Sequence, residues 1–363
     1  MNDPHPRADL EGGPARPLIV ADDRVFDEHR PRGYHPERPE RLGAARRALF
    51  RAETAGIPTR RLTSRDATLE ELEAAHDRGY VEALLALSGR EARIDADTYV
   101  GARSVVAARR AAGSSAAMVE ELLATDPESA PVGLALLRPP GHHATRETGM
   151  GFCLFNNAAV AAYAALQRGV KRVAIVDWDV HHGNGTQDIF WEEGRVLYLS
   201  VHQFPFYPGT GAAEEVGEGE GKGATVNIPL SAGANDAVYC AAFHDVVEPV
   251  LAEAAPELVI ISAGFDAHER DPLASMRVTS GGYGTMARCI AKVARQARSR
   301  VAVFLEGGYD LGALEDSLFA TLTGLTTGPG EHAHVPPAGE VTSAHLRDIA
   351  DARRIAHRAF RTI

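Results

Sequence analysis

The chain of 363 residues is 45% hydrophobic and 24% charged, an ordinary globular composition whose apolar runs are too short to span a bilayer. Its formal net charge of −11 disfavours non-specific attachment to nucleic-acid phosphates and favours cationic small molecules or lysine-bearing peptides as partners. Cys153, Cys240 and Cys289 are far apart and form no C-x-x-C pair, which argues against a disulfide framework or a cysteine zinc site and fits a reducing, cytoplasmic compartment.

Residues 1–17 are rich in proline, glycine and charge and lack the apolar core of a secretory signal, so they read as a flexible leader. Nothing in residues 18–363 marks a second boundary, and they are taken as one domain. Apolar, β-branched runs at 132–137, 173–176, 196–201, 258–261 and 301–305 recur between helical stretches, which predicts parallel strands with helical crossovers in an α/β fold. An alanine-rich helix is expected over 156–168, stopped by Gly169. Two more are expected over 237–254, broken at Pro249, and over 283–297. The glycine-rich, acidic stretch 209–223 reads as a surface loop. Each apolar run is followed at its C-terminal end by polar chemistry, at 138–143, 177–182, 200–202, 264–268 and 306–309. In open parallel sheets ligands bind outside those strand ends, so the five segments are expected to converge.

In the stretch Asp177-Trp-Asp-Val-His-His182, extended geometry puts Asp177, Asp179 and His181 on one face. Acids and an imidazole crowded at the mouth of an apolar strand repel or stay unsatisfied without a cation, so a metal is expected. Asp179 and His181 need a third ligand, and Asp266, just past the 258–264 strand and turn, is the best candidate. Three ligands leave a position open for water and substrate, as in a catalytic zinc site. His142 and His143, after Pro-Pro-Gly, can accept a proton from water and return it to a leaving amine. Tyr309, after two glycines, can place a phenol on a developing oxyanion.

Together these segments resemble the histone deacetylase superfamily, in particular its class II-like bacterial amidohydrolases. The resemblance rests on Tyr34-His-Pro-Glu-Arg-Pro-Glu-Arg-Leu42, His76-Asp-Arg-Gly-Tyr-Val81, Arg138-Pro-Pro-Gly-His-His143, Gly151-Phe-Cys-Leu-Phe-Asn-Asn157, the 177–187 stretch, Tyr207-Pro-Gly-Thr-Gly211, Ser262-Ala-Gly-Phe-Asp266 and Leu305-Glu-Gly-Gly-Tyr309. Their order is preserved over roughly residues 18 to 330. The resemblance implies an arginase/deacetylase-type single domain with a central, mostly parallel sheet flanked by helices, making 18–363 a catalytic domain that hydrolyses N-acyl amides with zinc. By the same carry-over, Asp179, His181 and Asp266 bind Zn2+, His143 is general base and acid, His142 gives electrostatic support, and Tyr309 binds the oxyanion. Asp177 and Asn184 orient the two histidines. A structural K+ is implied at Asp177 and Ser200 with the backbone carbonyls of Asp179, His181 and Val201. Phe152 and Tyr207, the latter where phenylalanine is usual, wall an acyl-lysine tunnel. By the same resemblance the Gly151 carbonyl accepts from the substrate amide, Asp97 accepts from the substrate backbone at the rim, and Arg41 lines a path for the released acid.

An acyl-lysine protein or peptide is the leading substrate, and an acetylpolyamine the alternative. Leu273, in Asp271-Pro-Leu-Ala274, falls where polyamine-selective relatives carry an acid and so favours acyl-lysine, while the acidic 209–223 loop pulls weakly the other way. A non-enzymatic acyl-lysine binder is disfavoured because every expected metal and proton-transfer group is present. Neither a membrane nor direct nucleic-acid contact is expected, and a homo-oligomer is left open.

Overall fold

Runs of β-branched residues become strands here because both of their faces are covered. The computed structural model describes residues 15–327 and 338–361. In chain order its strands are β1 (Leu18–Ala21), β2 (Thr59–Arg61), β3 (Ala92–Arg93), β4 (Tyr99–Val100), β5 (Val132–Ala135), β6 (Val173–Asp177), β7 (Val196–Gln203), β8 (Thr225–Leu230), β9 (Leu258–Ala263) and β10 (Arg300–Leu305). β3 and β4 pair antiparallel on their own. The other eight form one parallel sheet in the order β2-β1-β5-β10-β9-β6-β7-β8. Each of the five expected runs contains a strand, and β5, β6, β7 and β9 are buried along their whole length, as parallel strands between helical layers must be.

Helix Asn157–Gln167 is capped by the Asn156 side chain, which accepts from Ala159 N at 2.9 Å, and the chain turns out of it at Gly169 with φ +87°. The break expected at Pro249 falls earlier. The segment runs as α-helix over Asp236–Ala242, as a π-turn over Phe243–Val247, and as α-helix again over Glu248–Ala254. A proline ring clashes with the carbonyl four residues before it, here Asp245, so the distortion lies upstream while Pro249 itself fits a first helical turn. The third expected helix is longer than its apolar signal, spanning Ser280–Ala297.

Residues 1–14 of the expected leader lie outside the described residues. Residues 15–17 are tied to the domain: Arg16 donates from its backbone to Thr326 O at 2.9 Å and from its side chain to Ala130 O at 2.6 and 3.0 Å. The 209–223 stretch is only partly a surface loop. Glu215 turns inward, accepting from Gly211 N at 3.0 Å, Ala212 N at 3.1 Å and Gln187 Nε2 at 2.6 Å. Among the described residues no helix is long and apolar enough to cross a membrane.

One buried ring gives the fold a pH dependence. His76 Nδ1 donates to Thr145 O at 2.8 Å and Nε2 accepts from Asn156 N at 2.9 Å, which fixes a neutral imidazole whose pKa burial pulls down to about 4. Below pH 6.5 the unfolded chain takes up a proton that the native ring refuses, so this contribution is complete above the unfolded pKa and is lost as pH falls towards 4. Urea denaturation of the wild type and His76→Gln at pH 7.5 and 4.5 should show the wild type's advantage shrinking by about 2.5 kcal/mol at the lower pH. A gap that does not change with pH would contradict a neutral ring.

Candidate active site

Asp177 ends β6 in register with Ser200 of β7 and Ser262 of β9. The chain leaves the sheet there, yet the alternation persists. Asp179 and His181 continue towards one centre, whereas Trp178 and Val180 enter the core and His182 reaches Thr210 Oγ1 at 2.8 Å and Gln187 Oε1 at 3.1 Å. Asp266, delivered by the turn after β9, accepts from Val180 N at 2.9 Å through Oδ1. Its Oδ2 is buried without a hydrogen-bond partner, 3.3 Å from His181 Nδ1. Asp179 Oδ1 is 3.0 Å from the same nitrogen, and Asp179 Oδ2 accepts from Gly307 N at 2.8 Å. Donor atoms of Asp179, His181 and Asp266 all lie within 4.8 Å of one another. Burial opposes charge on His181, but Asp179 and Asp266 outweigh it and raise its pKa to about 10, so the cluster draws positive charge. Two carboxylates, an imidazole and an orphaned buried oxygen fit a zinc-like divalent cation. Gly307 is required for this crowding, since a Cβ there would stand 2.1 Å from Asp266 Oδ2.

The turn after β5 brings in the histidine pair. Gly141 N and His142 N donate to Glu306 Oε2 at 2.7 and 3.2 Å. His142 Nδ1 donates to Asp177 Oδ2 at 3.0 Å and His143 Nδ1 to Asn184 Oδ1 at 2.8 Å, so each partner's acceptor assigns the proton to Nδ1 and leaves Nε2 to face the centre. Burial lowers the pKa of both rings. In His142 the charges of Asp179 and Asp177 overcome it, to about 10, whereas His143, beside His142 and His181, is held well below its ordinary value. The two rings are thus shifted in opposite directions.

Aromatic rings enclose the approach. Tyr207 meets His143 edge-on with centroids 5.2 Å apart, and Phe152 meets Tyr309 at 5.9 Å. Gly151, at φ +54°, passes so close that a Cβ would lie 2.4 Å from His143 Cδ2. Tyr309 donates its backbone N–H to Asp271 Oδ2 at 2.7 Å, and Arg41 Cζ lies 5.1 Å from its ring centroid. Arg41 also donates to Gly308 O at 2.7 Å, to Glu37 Oε1 at 3.2 Å and to Glu306 O. These residues converge. The others sit around them: Ser200 donates to His202 Nδ1 at 2.8 Å and, with Val201, lies buried in β7. Leu273, half-buried, is linked to Tyr309 through Asp271, whose Oδ1 accepts from Leu273 N at 3.0 Å. Asp97 is exposed between β3 and β4, and its carbonyl accepts from His35 Nε2 at 3.1 Å.

A histone deacetylase domain profile matches residues 35–325. The chain belongs to the histone deacetylase family. It is 43% identical over 329 residues to histone deacetylase 15 of Arabidopsis thaliana, covering 88% of this chain and 58% of that protein. It is 40% identical over 287 residues to a probable deacetylase of Archaeoglobus fulgidus, covering 77% and 78% of the two chains. The crystal structure of the HDA15 HD domain superposes with a TM-score of 0.85 at 38% identity, covering 95% of each chain. The chain thus spans little more than half the length of the plant relative.

Within this family member, three supporting acids were not assigned from sequence. Glu306 holds the Gly141–His142 backbone, Asp271 holds Tyr309, and Glu37 receives Arg138 through both carboxylate oxygens, at 2.7 Å for Oε2. All three lie in or beside quoted motifs, but their partners are distant in sequence and no local spacing reveals them.

Proposed function

We propose that the chain hydrolyses N-acyl amides, with acyl-lysine side chains of proteins or peptides as its substrates. The observation that carries this reading is the meeting of the Asp179–His181–Asp266 cluster with an Asn184-oriented His143, whose ring centroid stands 5.9 Å from that of His181. Asp179, His181 and Asp266 would hold zinc, which when bound polarises the acyl carbonyl and acidifies the attacking water. His143 Nε2 takes the proton from that water and returns it to the leaving amine. His142, oriented by Asp177, gives electrostatic support to the negative charge that develops. The Tyr309 hydroxyl donates to the oxyanion. Phe152 and Tyr207 flank the lysine stem, the Gly151 carbonyl accepts its amide N–H, and Asp97 accepts from the peptide backbone at the rim. Arg41, buried below Tyr309, lines the way out for the acid. Asp177 and Ser200, with the carbonyls of Asp179, His181 and Val201, would hold potassium. A reducing cytoplasmic setting belongs to the proposal, since Cys153, Cys240 and Cys289 are all free.

An acetylpolyamine remains the second reading, because it needs the same catalytic groups. It also needs an acid for its distal ammonium, and Leu273 offers none. Leu273→Glu should shift the ratio of specificity constants towards acetylpolyamine by roughly tenfold, about 1.4 kcal/mol, by attracting the cation and penalising the peptide. Both substrates assayed on both proteins decide it. No shift, or a wild type that already prefers acetylpolyamine, overturns the lysine assignment.

A further inference from the structure

Beside the tunnel mouth lies an open cavity of about 350 Å3 whose lining includes Arg30, Arg32, His35, Arg93, Asp97 and Tyr99. It shares a wall with the tunnel. His35 Nδ1 accepts from Glu37 N at 3.1 Å, so Nε2 carries the proton given to Asp97 O, and the same ring meets Phe152 edge-on at 4.7 Å. Phe152 N in turn donates to Thr98 Oγ1 at 3.0 Å. The far side is rooted in the buried network: Tyr99 stacks on His29 at 4.4 Å, and its hydroxyl donates to Glu37 Oε2 at 3.3 Å. The floor is therefore fixed by the contacts that fix the tunnel wall, and needs little reordering to bind.

Several arginines of the chain bridge acids, as Arg46 does between Asp22 and Asp27 and Arg110 between Asp23 and Asp66. Here Arg32 pairs with Glu91, but Arg30 donates to the Asp27 carbonyl at 3.0 Å and Arg93 to the Ala96 carbonyl at 3.4 Å, and among the described residues neither meets a carboxylate. Glu91, Asp95 and Asp97 balance the three guanidiniums in number, but Arg30 and Arg93 keep guanidinium groups uncommitted to a carboxylate at the cavity. A cationic polyamine gains nothing there, whereas a polypeptide held at the rim can place a neighbouring anionic side chain into it.

We propose that this cavity is a subsite for an aspartate or glutamate of the substrate polypeptide, close in sequence to the acyl-lysine in the tunnel. The proposal rests on the acyl-lysine reading and adds a sequence preference to it. A carboxylate between Arg30 and Arg93 makes charge-assisted hydrogen bonds in a partly solvated setting, so the effect is selective rather than large.

The test is a set of acetyl-lysine peptides identical except for Glu or Gln at each of the two positions on either side of the lysine, assayed with wild type and Arg30→Gln/Arg93→Gln. The wild type should favour Glu over Gln at one or more positions by roughly fivefold to tenfold in kcat/KM, and the double variant should lose that preference while hydrolysing the all-Gln peptide as the wild type does. Equal rates for Glu and Gln at every position in the wild type, or a preference that survives in the double variant, would overturn the subsite and leave the acyl-lysine reading standing. A wild type that hydrolyses no acetyl-lysine peptide would overturn both.

Discussion

Replacing Tyr309 by phenylalanine should lower kcat by on the order of a hundredfold or more while leaving KM within a few-fold. The change removes one hydroxyl and little else. Asp271 grips the Tyr309 backbone, and the ring stands edge-on to Phe152 above the Arg41 guanidinium. None of those contacts uses the phenol oxygen, so the variant ring should keep its place. Steady-state kinetics on an acetyl-lysine peptide decide the matter: an unchanged kcat with a raised KM would reassign Tyr309 to ground-state binding.

Asp266→Asn is expected to be still more damaging, at roughly a thousandfold in kcat/KM, because several kcal/mol of charge stabilisation depend on an intact cation site. Asparagine keeps an acceptor for Val180 N, the 2.9 Å bond that shapes the 178–181 turn, but removes the charge of the orphaned Oδ2. The variant should therefore melt within a few degrees of wild type. A folded variant with near-normal rate would remove Asp266 from the metal site.

The parts legible in the sequence are those where one physical signal acts locally. β6 and β9 are wholly buried, so they appear as short β-branched runs, and the polar groups at their C-terminal ends then mark the site. Edge elements give no such signal. β2 is Thr-Arg-Arg at the end of the sheet, and β8 carries Pro229, which an edge strand tolerates. The supports of the site are illegible for another reason, because they pair groups far apart in the chain: Glu37 and Arg138 are 101 residues apart, and Gly141 and Glu306 are 165 apart. Such pairs exist only once the sheet order is set. The π-turn before Pro249 shows the same limit on a smaller scale, since the residue that causes the distortion is not the residue that shows it.

The most direct measurement is acetyl-lysine peptide hydrolysis followed alongside bound metal through chelation and reconstitution. Activity should vanish as the metal is stripped and return with zinc or cobalt in proportion to the metal bound, with no return in Asp266→Asn. Full turnover by demonstrably metal-free wild type would contradict the assignment of Asp179, His181 and Asp266 as the ligands of a catalytic cation.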